Sequence, residues 1–161
     1  MSTLTLSDYR NPRALLLLGA FLLAVIGVGA VIGINTAPGG WYFDLAKPPF
    51  NPPNWLFAPV WFTLYVCIAI AGWRTALAAP QGTAMKLWIA QMLLNWLWSP
   101  VFFLGHALWP AAVIIVAMLA TILLFIRTTW SSDRVSAWLF VPYAAWVSFA
   151  TLLNLSLAVL S

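Results

Sequence analysis

The fold class this sequence predicts is all-α: an integral membrane bundle of five transmembrane helices, forming one domain over residues 1–161. Three observations predict it. Hydrophobic residues make up 64% of the chain and charged residues only 6%. A soluble domain carries about 25% charged residues, so too little polar surface exists here to cover a globule. Five stretches also supply the roughly 20 apolar residues that a helix needs to cross a bilayer. Finally, the basic residues fall between those stretches and segregate strongly to one side of them.

The first span is Ala14–Ile34, preceded by Arg10 and Arg13. A signal peptide has an apolar region of about 7–15 residues; this run is longer and reads as a retained span. Gly27, Gly29 and Gly33 lie within it. A nucleotide-binding glycine fingerprint needs a preceding strand and a βαβ unit, which a membrane span cannot supply. Gly29-x-x-x-Gly33 is instead a small-residue face that admits another helix, from the same chain or from a second copy.

Residues 35–55 form a loop, and Trp41–Tyr65 around its second half has an unusual composition. It holds five prolines and Lys47, the one basic residue between Arg13 and Arg74. Neither a solvated linker nor a packed core looks like this. The stretch reads as a lid and pocket wall at a membrane surface. The second span, about 56–73, is closed by Arg74, and the third, about 87–108, is opened by Lys86 and contains Pro100. A tight link around His106 to Trp109 makes the third and fourth spans an antiparallel hairpin. The fourth covers about 110–126, closed by Arg127, and the fifth about 135–160, opened by Arg134. Prolines inside spans are tolerated where neighbouring helices satisfy the freed carbonyls.

Five spans put the termini on opposite sides. The N-terminal side carries Arg10, Arg13, Arg74, Lys86, Arg127 and Arg134, against Lys47 alone on the other. In a bacterial inner membrane this bias places the N-terminus in the cytoplasm and the 41–55 loop outside. Most tryptophans near span ends are then interfacial belt residues.

Several function classes are disfavoured. The net charge of +4 arises because the acids are only Asp8, Asp44 and Asp133; no basic stripe for nucleic acid exists. Cys67 is the lone cysteine, so neither a disulfide framework nor a thiolate metal site follows. No span has Asp, Glu, Lys or Arg in its middle, as an ion-coupled transporter normally requires. His106, in a loop near the outer surface, reads as a turn residue; it is not a mid-span ligand for haem iron. No catalytic triad or metal-ligand spacing is present, and no cofactor is expected.

What the spans do carry is three stripes of mixed aromatic and amide character. Phe57, Trp61 and Tyr65 share a face of the second span at i, i+4, i+8. Gln91, Asn95, Trp98 and Phe102 form a stripe on the third, and Tyr143, Trp146, Ala150 and Asn154 on the fifth. Unpartnered amides are costly in hydrocarbon, so Gln91, Asn95 and Asn154 should face the bundle interior. The stripes converge in the outer half of the bundle, beneath the loop. An aromatic cavity with a few polar anchors suits a flat hydrophobic ligand. The alternative is plain packing, with aromatics filling space and amides joining helices.

These motifs resemble the tryptophan-rich sensory protein / translocator protein family, also called the peripheral benzodiazepine receptor family. The likeness covers about residues 14–157. Its parts are Trp41-Tyr42-x-x-Leu45-x-Lys47-Pro48, Asn51-Pro52-Pro53-x-Trp55-x-Phe57, and Pro59-Val60-Trp61-x-x-Leu64-Tyr65. Further on come Gln91-x-x-x-Asn95-x-x-Trp98-x-x-x-Phe102-Phe103 and Pro142-Tyr143-x-x-Trp146, then Ala150 and Asn154. The resemblance implies a five-helix bundle, often homodimeric, that binds porphyrins such as protoporphyrin IX and isoquinoline or benzodiazepine-type drugs beneath the first loop. By motif, Trp61, Asn95 and Trp146 match ligand contacts, and Trp41 and Lys47 match lid residues, with Lys47 placed to meet a propionate. Ala150 matches a position where a larger side chain alters ligand and sterol response. Some bacterial members are described as degrading protoporphyrin in light; Trp61 and Trp146 would match the tryptophans involved.

Two departures stand out. Pro49 and Phe50 replace the Trp that often follows the loop Lys-Pro in bacterial relatives. No Lys or Arg follows Arg134, so the C-terminal sterol motif of mitochondrial members is missing. The expectation is a bacterial membrane receptor or carrier for tetrapyrroles, with a porphyrin photo-oxidase or a regulatory membrane scaffold as alternatives.

Overall fold

The computed structural model describes residues 3–161, and helix is the only regular structure among them. The helices are α1 (Leu6–Arg10), α2 (Pro12–Asn35), α3 (Gly40–Asp44), α4 (Phe57–Ala78), α5 (Thr83–Phe103), α6 (Leu108–Thr129) and α7 (Arg134–Leu160). A 3-10 turn, Asn54–Leu56, leads into α4.

Local chemistry explains the boundaries. The Asn11 side chain accepts from the Arg13 N–H at 3.0 Å, and Pro12 occupies the first helical position, where a missing N–H costs nothing. Pro59 sits in the first turn of α4 for the same reason. Pro100 lies in the last turn of α5, and its carbonyl accepts from both Leu104 and Gly105 at 2.9 Å, which closes the helix. The connection to α6 is therefore residues 104–107, and Trp109 lies inside the first turn of α6. That end comes five residues before the expected one at Leu108. Asp133 caps α7 by accepting from the Ser136 N–H.

Four of the five long helices, α2, α4 with its leading turn, α6 and α7, are long and apolar enough to cross a membrane. α5 is as long, at 21 residues, but Lys86, Gln91, Asn95 and Ser99 dilute its apolar character. The expectation of five transmembrane helices therefore stands at four by this measure. The physical reason is that α5 carries the interior amides.

The long helices close into a ring in the order α2, α4, α7, α6, α5 and back to α2. Short connections make α5, α6 and α7 an antiparallel sequence. The core runs between α4, α6 and α7, with Ile68, Met118, Ile122 and Val147 fully buried and Phe125 against Phe140 at 4.1 Å. Large apolar side chains also point outward; Leu23 is 76% exposed and Val113 71%. A soluble protein rarely exposes so many large apolar side chains, whereas lipid favours them.

Two glycines admit aromatic rings. A Cβ on Gly72 of α4 would stand 2.4 Å from the Trp88 ring, whose N–H donates to the Ile68 carbonyl at 2.9 Å. A Cβ on Gly29 of α2 would stand 2.5 Å from the Tyr65 ring. Gly33, one turn on, has nothing within 4 Å of that position. The Gly29–Gly33 face thus divides: Gly29 serves packing within the chain, and Gly33 does not.

At the end carrying the N-terminus, Arg74 holds Asp133 through Nη2 at 2.8 Å and Nε at 3.1 and 3.3 Å. The guanidinium also lies 4.7 Å over the Tyr9 ring, and Tyr9 meets Trp73 edge-on. Burial alone would raise the Asp133 carboxyl, but bonds from Arg74 and Ser136 outweigh it and hold it below its ordinary value. This cluster ties α1, α4 and the α6–α7 turn together, at the end opposite the 35–56 loop.

Candidate functional site

Beneath the 35–56 loop the ring of helices encloses a cavity of about 740 Å³. Binding pockets of roughly 300–1,000 Å³ bury most of a drug-sized ligand. Helical spacing brings its walls together. Trp61 and Tyr65 come from α4, Asn95, Trp98 and Phe102 from α5, and Trp146, Ala150 and Asn154 from α7. All eight of these sequence-derived residues line one cavity. α6 contributes none of the lining and supports α5 and α7 from behind.

The aromatic groups pack against one another. Trp61 and Tyr65 have ring centroids 5.6 Å apart, and Trp98 and Phe102 5.0 Å apart. Phe57 meets Trp146 edge-on at 5.8 Å. Tyr65, Asn95 and Trp146 are the lining residues of their helices farthest from the loop, so they form the floor with Gly29.

The Tyr65 and Asn95 side chains of the floor belong to a chain of hydrogen bonds that runs into the core. Tyr65 Oη donates to Asn95 Oδ1 at 3.3 Å, and Asn95 Nδ2 donates to Tyr143 Oη at 2.7 Å. Tyr143 donates to Gln91 Oε1 at 2.8 Å, and Gln91 Nε2 donates to the Trp88 carbonyl at 2.8 Å. Nearer the loop, Trp98 Nε1 donates to Asn154 Oδ1 at 3.0 Å, and Asn154 Nδ2 donates to the Leu108 carbonyl at 3.0 Å. The Trp146 indole nitrogen is buried without a partner. Among the described residues no three His, Cys, Asp or Glu side chains come together. The chemistry on offer is that of aromatic faces, hydroxyls and amides.

The two lid residues lie off the cavity wall. Trp41 stacks on His106 at 4.1 Å and 13°, and meets Phe102 edge-on at 6.0 Å. His106 holds a left-handed backbone, φ 50°, which costs free energy for a non-glycine residue. Lys47 Nζ donates to the Tyr42, Phe43 and Leu45 carbonyls at 2.7, 2.9 and 3.3 Å. It thus satisfies the end of α3, as cations do at helix C-termini. Between them Tyr42 is 3% exposed and lines the cavity roof. Burial raises its phenol above the ordinary value despite a hydrogen bond with Asn51.

Some lining residues carried no sequence signal for a cavity. Gly29, Ala30 and Gly33 of α2 form the remaining wall, but a span apolar on every side has no periodicity to reveal its inner face. Thr36 and Ser99, hydrogen-bonded at 2.7 Å, join the loop to α5. Tyr143 was recognisable as part of a stripe; its place behind Asn95 depends on how α5 and α7 face each other.

The TspO/MBR family model matches residues 20–160. Protein CrtK of Rhodobacter capsulatus is 35% identical over 89% of this chain and 91% of its own length. The tryptophan-rich sensory protein of Cereibacter sphaeroides is 37% identical, over 82% of this chain and 84% of that one. The translocator protein of Bos taurus is 35% identical over 71% of this chain and 70% of its own.

Proposed function

The chain belongs to the TspO/MBR family of membrane sensory and translocator proteins, and from that premise we propose that it is a receptor or carrier for porphyrins. Protoporphyrin IX-like tetrapyrroles, and flat hydrophobic drug-like molecules, enter the aromatic cavity beneath the first loop. One observation carries the reading: tryptophans and amides from three separate helices line a single cavity of about 740 Å³. In this reading the macrocycle stacks on Trp61 and Trp146 and meets Tyr65 and Asn95 at its polar edge. Trp98, Phe102, Ala150 and Asn154 complete the wall. Trp41 and Lys47 act as lid residues, holding the loop rather than lining the cavity. Loop closure over an occupied site would shift the conformational population toward a form a partner can read.

The same reading treats the protein as one five-span domain, with α5 as its third span, shielded by its neighbours where its amides face inward. The six-to-one distribution of basic residues favours a cytoplasmic N-terminus in a bacterial cell membrane. A homodimer fits the lipid-facing surface, and small-residue positions on α2 that neither pack within the chain nor line the cavity, such as Gly19, are its first candidates.

The test is quenching of tryptophan fluorescence by protoporphyrin IX, with the protein in lipid nanodiscs and empty nanodiscs as the partition control. Saturable quenching that weakens in Asn95→Ala supports a site. Linear quenching, equal in both proteins, refers the porphyrin to the lipid and favours a regulatory scaffold. A second reading, light-dependent oxidation of the bound porphyrin, draws on Trp61 and Trp146 both lining the cavity. Its sign is loss of porphyrin bleaching in Trp61→Phe or Trp146→Phe while binding is retained.

A further inference from the structure

The hydrogen-bond chain behind the cavity floor has a fixed direction, and that direction sets what the floor presents to a ligand. The starting point is the Trp88 carbonyl, which can only accept. The Gln91 atom 2.8 Å from it must therefore be Nε2, which turns Oε1 toward Tyr143. An amide oxygen only accepts, so Tyr143 spends its one proton there; Met118 Sδ, at 3.5 Å, is the weaker competitor. Tyr143 Oη can then only accept from Asn95, so Asn95 offers Nδ2 at 2.7 Å and turns Oδ1 toward Tyr65. Tyr65 spends its proton on that oxygen at 3.3 Å. The reverse orientation of Asn95 would leave Tyr143 Oη and Gln91 Oε1 facing each other at 2.8 Å without a proton between them.

The hydroxyl of Tyr65, a residue that lines the cavity, thus has only lone pairs left to offer. Asn95 is 5% exposed and the unpartnered Trp146 N–H is itself buried, which leaves the Tyr65 oxygen as the floor's polar atom for a ligand. The second hydroxyl site obeys the same logic. Thr36 donates to the Ile32 carbonyl at 2.8 Å, so Ser99 must donate to Thr36 at 2.7 Å. Both sites offer acceptors.

We propose that the cavity floor selects flat aromatic ligands carrying a hydrogen-bond donor, an N–H or O–H, which they place against Tyr65 Oη. Gln91, fully buried and not part of the cavity wall, is a positioning residue: it acts through Tyr143 and Asn95 on the proton of Tyr65. The inference rests on the reading that the cavity binds flat aromatic molecules, and it adds the chemical class that the floor prefers.

Carbazole and 9-fluorenone share one tricyclic frame; the first offers an N–H and the second a carbonyl oxygen. Their dissociation constants are measured on the full chain in lipid nanodiscs, with empty nanodiscs subtracted. The wild type is expected to favour carbazole by about tenfold, one hydrogen bond gained plus one lone-pair conflict avoided. In Gln91→Met the Tyr143 proton is free to turn to Asn95. The amide then reverses and Tyr65 donates into the cavity. The preference should fall to unity or invert. A loosened structure would weaken both ligands together and leave the ratio alone. Should Gln91→Met not fold, Tyr65→Phe reads the same ratio, which should approach unity. Equal affinities in the wild type would overturn the inference while leaving the binding reading intact. A tenfold ratio that persists in Gln91→Met, or in Tyr65→Phe where that variant stands in, would overturn the relay. If neither compound binds saturably, the reading of the cavity as an aromatic-ligand site falls, and this inference with it.

Discussion

Gly29 of α2 lies against the face of Tyr65 on α4, so closely that a Cβ would stand 2.5 Å from the Tyr65 ring carbon Cε2. The contact fixes the height of the cavity floor, because the same tyrosine carries the hydroxyl that bonds Asn95. Gly29→Ala should therefore displace Tyr65 and destabilise the fold by about 1–3 kcal/mol, the usual cost of overpacking. Gly33→Ala, one turn away with open space around it, should leave the thermal unfolding temperature unchanged. Equal effects of the two substitutions would show that the helix spacing is not set at Gly29.

Trp98 and Asn154 couple α5 to α7 near the loop. Trp98→Phe removes the N–H and leaves Asn154 Oδ1 buried without a partner. A loss of roughly 1–3 kcal/mol of stability should follow. Replacing both, Trp98→Phe with Asn154→Leu, should recover part of that loss, since no unpaired acceptor remains there. Unfolding in graded denaturing detergent measures both.

The Arg74–Asp133 pair makes a prediction about acid. Each side chain is less than one-fifth exposed, and the carboxyl is held below its ordinary value. A depressed carboxyl contributes stability that is fully present above its unfolded-state pKa of about 3.9 and is lost as pH falls through its folded-state pKa. Asp133→Asn should cost roughly 1–3 kcal/mol at neutral pH. The gap between wild type and variant should hold down to about pH 4 and shrink below it. Unfolding of both proteins across pH 2–7 measures the gap; one that closed near neutral pH would point to another group.

Much of the site was legible in the sequence because side-chain direction on a helix follows from spacing. Phe57, Trp61 and Tyr65 had to share a face, and so did Asn95, Trp98 and Phe102. Amides in an apolar span had to point inward, which gave each helix its rotation. The wall from α2 was not legible, since every face of that helix is apolar. Nor was the chain Tyr65–Asn95–Tyr143–Gln91 legible: three of its links cross between helices, and spacing within one helix says nothing of its neighbour's rotation. Lys47 shows a third kind of gap. Its charge suggested a ligand contact, yet three backbone carbonyls at the end of α3 surround its ammonium. A five-residue helix inside a proline-rich loop left no periodic trace. The glycine pair divided for the same reason, since only the course of α4 decides which glycine receives a ring.

The central claim is that the cavity beneath the loop is where a porphyrin binds. Ala150, 8% exposed, lies on its α7 wall; a larger side chain there must occupy the cavity. The most direct measurement is the protoporphyrin IX dissociation constant of Ala150→Phe in nanodiscs, beside Val113→Phe on the outward face of α6 as control. At least a tenfold weakening in Ala150→Phe is expected, with an unchanged unfolding temperature and wild-type affinity in Val113→Phe. Unaltered affinity in Ala150→Phe would place the porphyrin elsewhere and contradict the account.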